Sequence, residues 1–202
     1  MAENLFDLAG LFEQAFGYKT RAFSPEFNAV TGDSNPSRIT SGAHGSPYYA
    51  HDEAGVEYFL PVILSYEKDG STIELSLPYP VVSVTSKKTI IETPLTERGG
   101  TVKELVNVQD YEIVVKGFIV NNAGNEFPEQ QVAALRGIYE QNAALSIQCP
   151  LTDIFLLRPG RSGSDKVVVR DMKFPAVTGI KNVRPYELHL VSDEPFNLIN
   201  IS

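Results

Sequence analysis

The residues able to hold a metal or act as a catalytic base are few and scattered. In 202 residues the only imidazoles are His44, His51 and His189, and the only thiol is Cys149. His44 and His51 stand near Asp52 and Glu53, a nitrogen and oxygen donor set that suits a divalent cation. Their spacing reproduces no zinc motif, and H-E-x-x-H is absent from the sequence. The surrounding segment reads as loop, so solvated side chains are expected there and no metal centre. His189 alternates with Leu188 and Leu190 in a predicted strand and is expected to face solvent or a neighbouring strand. Cys149 has no histidine nearby in sequence to generate a thiolate. A small buried core thiol is the expectation.

Other candidate chemistry is no better supported. Ser162 in PGRSG lacks the second glycine of a G-x-S-x-G elbow. The loop RPGRSGSDK carries glycines and basic residues, yet a strand is predicted after it, so no helix N-terminus converges on an anion. Asp193-Glu194 and Asp52-Glu53 are adjacent carboxylates, but adjacency alone implies no acid–base pair in a chain with 25 Asp and Glu. The sequon Asn200-Ile201-Ser202 stands in a chain that shows no export signal, and it is read as chance. No catalytic residue, cofactor or metal is expected.

Composition narrows the class. Seventeen Lys and Arg against 25 Asp and Glu leave a net charge of −8. That balance disfavours a dedicated nucleic-acid binder, which gains affinity by neutralising phosphates, and it disfavours docking on anionic lipid. No run of about 18 apolar residues could span a bilayer as a helix. MAENLFDLAGLF has no basic stretch and no cleavage site of a signal peptide. A single cysteine forbids an internal disulfide and agrees with cytoplasmic synthesis.

The elements that would have to position any site come next. Residues 1–17 carry Leu5, Leu8, Ala9, Phe12 and Phe16 at helical spacing, widened by Phe6 and Leu11, so a short and very apolar terminal helix is predicted. Residues 18–54 are rich in Gly, Ser, Asn and Pro and read as a loop or extended arm. From Val56 the β signal dominates. VEYFLPVILSYEKDGSTIELSL reads as two strands around Asp69-Gly70, with Pro61 marking an edge or bulge. VVSVTSKKTIIET reads as one strand, and TPLTERGGTVKEL as an exposed turn or long hairpin tip. In DYEIVVKGFIV, Tyr111, Ile113 and Val115 share one face, opposite Glu112, Val114 and Lys116. Pro128 opens an amphipathic helix at about 128–143, with Val132, Leu135, Ile138 and Tyr139 as its apolar stripe. LSIQC and DIFLL read as short strands, and VVVRDMKF and PYELHLVSDE finish the sheet.

These elements predict an α+β, β-rich fold. It is a mostly antiparallel β-barrel or rolled sheet carrying one amphipathic helix, plus a short N-terminal helix. The organisation expected is a helix and flexible arm over 1–55 and one β domain over 56–202. Exposed strand edges around residues 81–120, the apolar terminal helix and the arm all read as attachment devices. The candidate assembly interface comprises Leu5, Phe6, Leu8, Phe12 and Phe16 on the helix, and Thr96, Arg98 and Lys103 around the hairpin tip.

TPLTERGGTVKELVNVQDYEIVVKGFIV, then FPEQQVAALRGIYE, then NVRPYELHLVSDEPFNL, resembles phage tail and baseplate proteins. The family concerned is an uncharacterised one of Bacteroidetes phages and prophages, with looser similarity to tail-hub and tail-tube proteins of contractile injection systems. Tyr111, Ile113, Val115 and Gly117 supply its strand pattern, Leu135, Ile138 and Tyr139 its helix, and Ser192-Asp193 its final strand. The resemblance covers roughly residues 56–202. It implies a tail-tube-like fold and a non-enzymatic component of a tail particle or virion. The partners implied are further copies in a ring and adjacent tail or baseplate proteins, with no sequence-specific nucleic acid and no membrane. A carbohydrate- or protein-binding β module, using some of the nine tyrosines as platforms, is the alternative; the absence of tryptophan weighs against it.

Overall fold

A computed structural model of the chain describes residues 13–17, 47–51, 57–68, 70–96, 99–121, 126–157, 164–177 and 181–194. Among them are eleven strands, two helices and a further helical turn at residues 13–16. The strands are β1 (Tyr49–His51), β2 (Glu57–Phe59), β3 (Val62–Lys68), β4 (Ser71–Leu77), β5 (Val81–Thr85), β6 (Lys88–Pro94), β7 (Thr101–Val108), β8 (Glu112–Val120), β9 (Leu145–Gln148), β10 (Lys166–Lys173) and β11 (Val183–Ser192). The helices are α1 (Glu129–Tyr139) and α2 (Pro150–Leu156).

Seven strands form one antiparallel sheet in the order β4-β3-β9-β10-β11-β8-β5. β4 and β5 lie at opposite edges, yet only Pro78, Tyr79 and Pro80 separate them in the chain. A flat sheet would hold its edges about 29 Å apart, six strand spacings. From Leu77 to Val81 the chain reaches at most about 14 Å. The sheet must therefore roll, and it forms a curled half-barrel. The β-rich α+β class and the rolled antiparallel sheet expected from the sequence are what the structure contains.

The inside of the roll is the core. Val62, Leu64, Leu77, Ile113, Val115, Leu145, Ile147, Val167, Tyr186, Leu188 and Leu190 alternate along their strands and are buried together. α1 contributes Leu135 and Ile138, and α2 contributes Leu156. β10 keeps this pattern through a register shift between Val169 and Asp171: Val167 and Val169 pack on the core before it, and Met172 packs there after it. The extra residue at Arg170 changes the phase by one, as a bulge does. A smaller cluster, Phe118 and Val183 with Val120 and Val177 against them, also receives Ala15 and Phe16.

Several local expectations are corrected. DIFLL is not a strand: Asp153 to Leu156 belong to α2. Pro150 takes the first helical position, and Cys149 in extended conformation caps it, its carbonyl accepting from the Asp153 amide at 2.9 Å and the Thr152 hydroxyl at 3.1 Å. A short apolar run cannot by itself distinguish helix from strand, and the preceding proline decides here. VVSVTSKKTIIET is two strands, β5 and β6, in different sheets. Pro61 separates β2 from β3, after Leu60 with φ +53°. α1 ends at Tyr139, short of 143, and Tyr139 itself is exposed, so its buried stripe narrows to Leu135 and Ile138 with Val132 half-buried. Of the predicted terminal helix, residues 13–16 are helical and Gly17, φ +76°, ends it, its amide donating to the Glu13 carbonyl at 3.0 Å. The remainder of that helix and most of 18–54 lie outside the described residues.

Candidate assembly surface

β6 and β7 form a two-stranded ribbon that belongs to neither edge of the main sheet. It continues the β5–β8 pair outward. Thr85 pairs with Glu112 at the end of that ladder, and Lys88 pairs with Val108 at the start of the next. Seven residues of β6 carry the ribbon about 24 Å from its root. Nearly every residue on both strands is exposed.

The ribbon's surface is unlike that of a solvated hairpin. Ile90, Ile91, Leu95, Val102, Leu105 and Val106 are all exposed, Ile91 at 51%, Val106 at 58% and Leu105 at 62%. Ile90 pairs directly with Leu105, and Ile91 with Glu104, so alternation places apolar groups on both faces. Glu92 and Lys103 are the paired charges, with Nζ to Oε1 at 3.7 Å across the strands. An isolated hairpin is at best marginally stable in water, and this one has no covered face among the described residues.

The root is tied more firmly than the tip. Tyr111 is buried, its ring 5.8 Å from that of Phe155. Its amide donates to the Ser192 hydroxyl at 2.9 Å, and its carbonyl accepts from the Ser192 amide at 3.0 Å. The Ser192 that the resemblance singled out thus fastens the base of β8 to the end of β11.

The predicted interface residues fall in three places. Leu5, Phe6, Leu8, Phe12 and Arg98 lie outside the described residues. Phe16 packs edge-to-face on Phe118 of its own chain, ring centroids 5.9 Å apart, with the Lys116 ammonium 5.1 Å from its centroid. Thr96 and Lys103 are exposed on the ribbon, Lys103 in the pair with Glu92. The residues expected from the sequence are polar ones near the tip; apolar residues in both alternation phases of TIIET and TVKELVNV, a pattern that a strand with one solvated face does not need, stand beside them.

His44, Asp52, Glu53 and Ser162 lie outside the described residues, and the backbone of His51 lies in β1. His189 is half-buried, with Nε2 2.9 Å from Glu187 Oε1. Cys149 is fully buried, and burial raises its thiol above the ordinary value. Among the described residues no three His, Cys, Asp or Glu side chains gather to hold a metal. No described helix is long and apolar enough to cross a membrane.

Comparison with known proteins places the sequence in a family. Residues 76–201 match the family described as a domain of unknown function, DUF6046. The chain belongs to that family. The DUF6046 region begins in β4 and runs through the ribbon, α1, α2 and the last strand. No curated protein matches the sequence. A solved structure, the tail of an empty GTA particle with C6 symmetry, matches at a TM-score of 0.41 and 13% identity, over 66% of this chain and 92% of that one.

Proposed function

We propose that this DUF6046 protein is a non-enzymatic structural subunit of a phage or prophage-derived tail or baseplate, and that it assembles through the β6–β7 ribbon. The observation that carries this reading is the ribbon itself: six exposed large apolar residues on a two-stranded element, neither face of which is covered among the described residues. Burying such residues stabilises by roughly 1.5–3 kcal/mol each, a gain that no described residue of the chain supplies and that a neighbouring chain would. The sequence resemblance to tail and baseplate proteins supplies the context. The partners proposed are further copies of the chain and adjacent tail proteins. In this reading residues 1–55 serve as an arm that orders on a neighbour, and 56–202 as the assembling β domain. The particle is the final location after cytoplasmic synthesis.

Light scattering on gel-filtered protein at high concentration, alone and mixed with neighbouring tail proteins, tests the proposal. The wild type is expected to associate, and Ile91→Glu/Leu105→Glu to remain monomeric with an unchanged melting temperature. Association of that double variant at wild-type strength would overturn the reading.

A further inference from the structure

The ribbon leaves the sheet through a junction where the two strands are unequal. Between the Thr85–Glu112 and Lys88–Val108 pairs, one strand has two residues, Ser86 and Lys87, and the other has three, Gln109, Asp110 and Tyr111. A second register shift follows at once, between Thr89 and Ile90, where Val106 is the extra residue on the opposite strand. Each mismatch bends and twists a ladder. Two in succession make the ribbon's direction a soft variable unless something else holds it.

Three side chains meet at this junction. Lys87 Nζ lies 3.1 Å from Glu112 Oε2, and Arg170 Nη1 lies 3.5 Å from Glu112 Oε1. Lys87 sits in the junction, Glu112 is the first residue of β8, and Arg170 is the bulged residue of β10 two strands away. The Gln109 amide donates to the Lys87 carbonyl at 2.9 Å, and its side-chain nitrogen donates to the Thr89 hydroxyl at 3.1 Å. The Glu112 carboxyl is held below its ordinary value, first by the hydrogen bond from Lys87 and then by its charge.

We infer that Lys87, Glu112 and Arg170 form an ionic clamp that presets the angle at which the β6–β7 ribbon leaves the sheet. The inference rests on the assembly reading for its purpose: a preset ribbon loses less orientational freedom on docking than a swinging one. Its physics stands apart. Only the Lys87–Glu112 pair crosses the bend; Arg170 holds the Glu112 carboxylate in place from β10, so a change of bend strains the Lys87 contact while the carboxylate stays fixed on the sheet. All three groups are solvent-exposed, so the clamp is weak and salt-sensitive. It selects among orientations and adds little to folding.

Pulsed dipolar spectroscopy on the full chain in its monomeric form tests this directly. Spin labels at Thr72→Cys on β4 and Val102→Cys on the ribbon report the angle, and the buried Cys149 does not compete for label. The wild type is expected to show one narrow distance distribution, and Glu112→Gln one at least about twice as broad, as the loss of a surface ion network allows. The wild type in about 1 M salt should broaden in the same way. The charge-exchanged triple variant Lys87→Glu/Glu112→Lys/Arg170→Glu should narrow the distribution again. If Glu112→Gln weakens folding, Arg170→Gln, outside the β5–β8 ladder, carries the same expectation. A Glu112→Gln distribution as narrow as the wild type, or a triple variant as broad as Glu112→Gln, would sink the clamp. Because the readout is on the monomer, that result leaves the assembly proposal standing, and failure of Ile91→Glu/Leu105→Glu to block association leaves the clamp standing.

Discussion

A β-carbon at Gly117 would lie 2.5 Å from the Tyr186 hydroxyl, 2.7 Å from its Cζ and 2.9 Å from the Pro78 carbonyl oxygen. Tyr186 of β11 crosses over β8 at this glycine and donates from its hydroxyl to Pro78 at 3.2 Å, on the turn that joins the two edges of the sheet. One residue without a side chain thus lets one hydrogen bond hold the roll closed at its corner. Burial pushes the Tyr186 hydroxyl well above its ordinary value, which keeps it a donor. Gly117→Ala is expected to destabilise the fold by about 1–3 kcal/mol, the usual cost of overpacking a tight site. Tyr186→Phe should cost about 1 kcal/mol for the lost bond. Urea denaturation of both single variants and the double is the check. The double should lose less than the sum, because removing the hydroxyl relieves part of the clash. Strict additivity would mean that the two residues do not share the site.

Among the elements, strands facing the core were legible because burial on one face imposes a period of two. β8 follows it from Glu112 to Gly117, and β11 from Tyr186 to Ser192. α2 was not legible, since its seven residues are too few to reveal a helical period. The β5–β6 break left a faint mark: Val82 and Val84 pack on the core, but the next residues in that phase, Ser86 and Lys88, are polar, and two polar positions do not by themselves end a strand. The ribbon follows the same logic from outside. It buries little of its own chain, so replacing residues 86–109 with a short turn should leave the rolled sheet folded, with a cooperative melt near that of the wild type, while abolishing association. A collapse of the melting transition would show that the ribbon contributes to the core and is not an appended arm.

At the scale of the whole molecule, the outer face of β8, β10 and β11 carries a row of coupled charges. Lys116 Nζ lies 3.2 Å from Glu187 Oε1, which His189 also meets, and Lys173 Nζ lies 2.9 Å from Asp171 Oδ2. Burial alone would raise the Glu187 carboxyl, but hydrogen bonds from Lys116 and His189 outweigh it and hold it below its ordinary 4.5. Asp171 is likewise lowered, chiefly by Lys173. A carboxyl depressed in the fold favours the folded state above its unfolded value, and that contribution is lost as the pH falls through the folded one. Stability should therefore decline from about pH 4.5 downward. In Glu187→Gln that decline should be shallower, as read from melting temperatures between pH 3 and 6. An identical slope in the variant would remove Glu187 from the account.

The sequence by itself determined the class of fold, the inward face of β8 at Ile113 and Val115, the buried thiol at Cys149 and the place of an exposed hairpin around Gly99-Gly100. These follow from local pattern, because alternation, proline and glycine act within a few residues. Tertiary structure alone decided that β4 and β5, neighbours in the chain, are the two edges of one rolled sheet. It also decided that Gly117, Tyr186 and Pro78 meet, and that Lys87, Glu112 and Arg170 share one junction. Each of those depends on which strand lies beside which, and strand order is set by the summed burial of the whole sheet. The apolar residues of the ribbon stood in the sequence throughout, but only the finished fold shows that nothing among the described residues of the chain covers them.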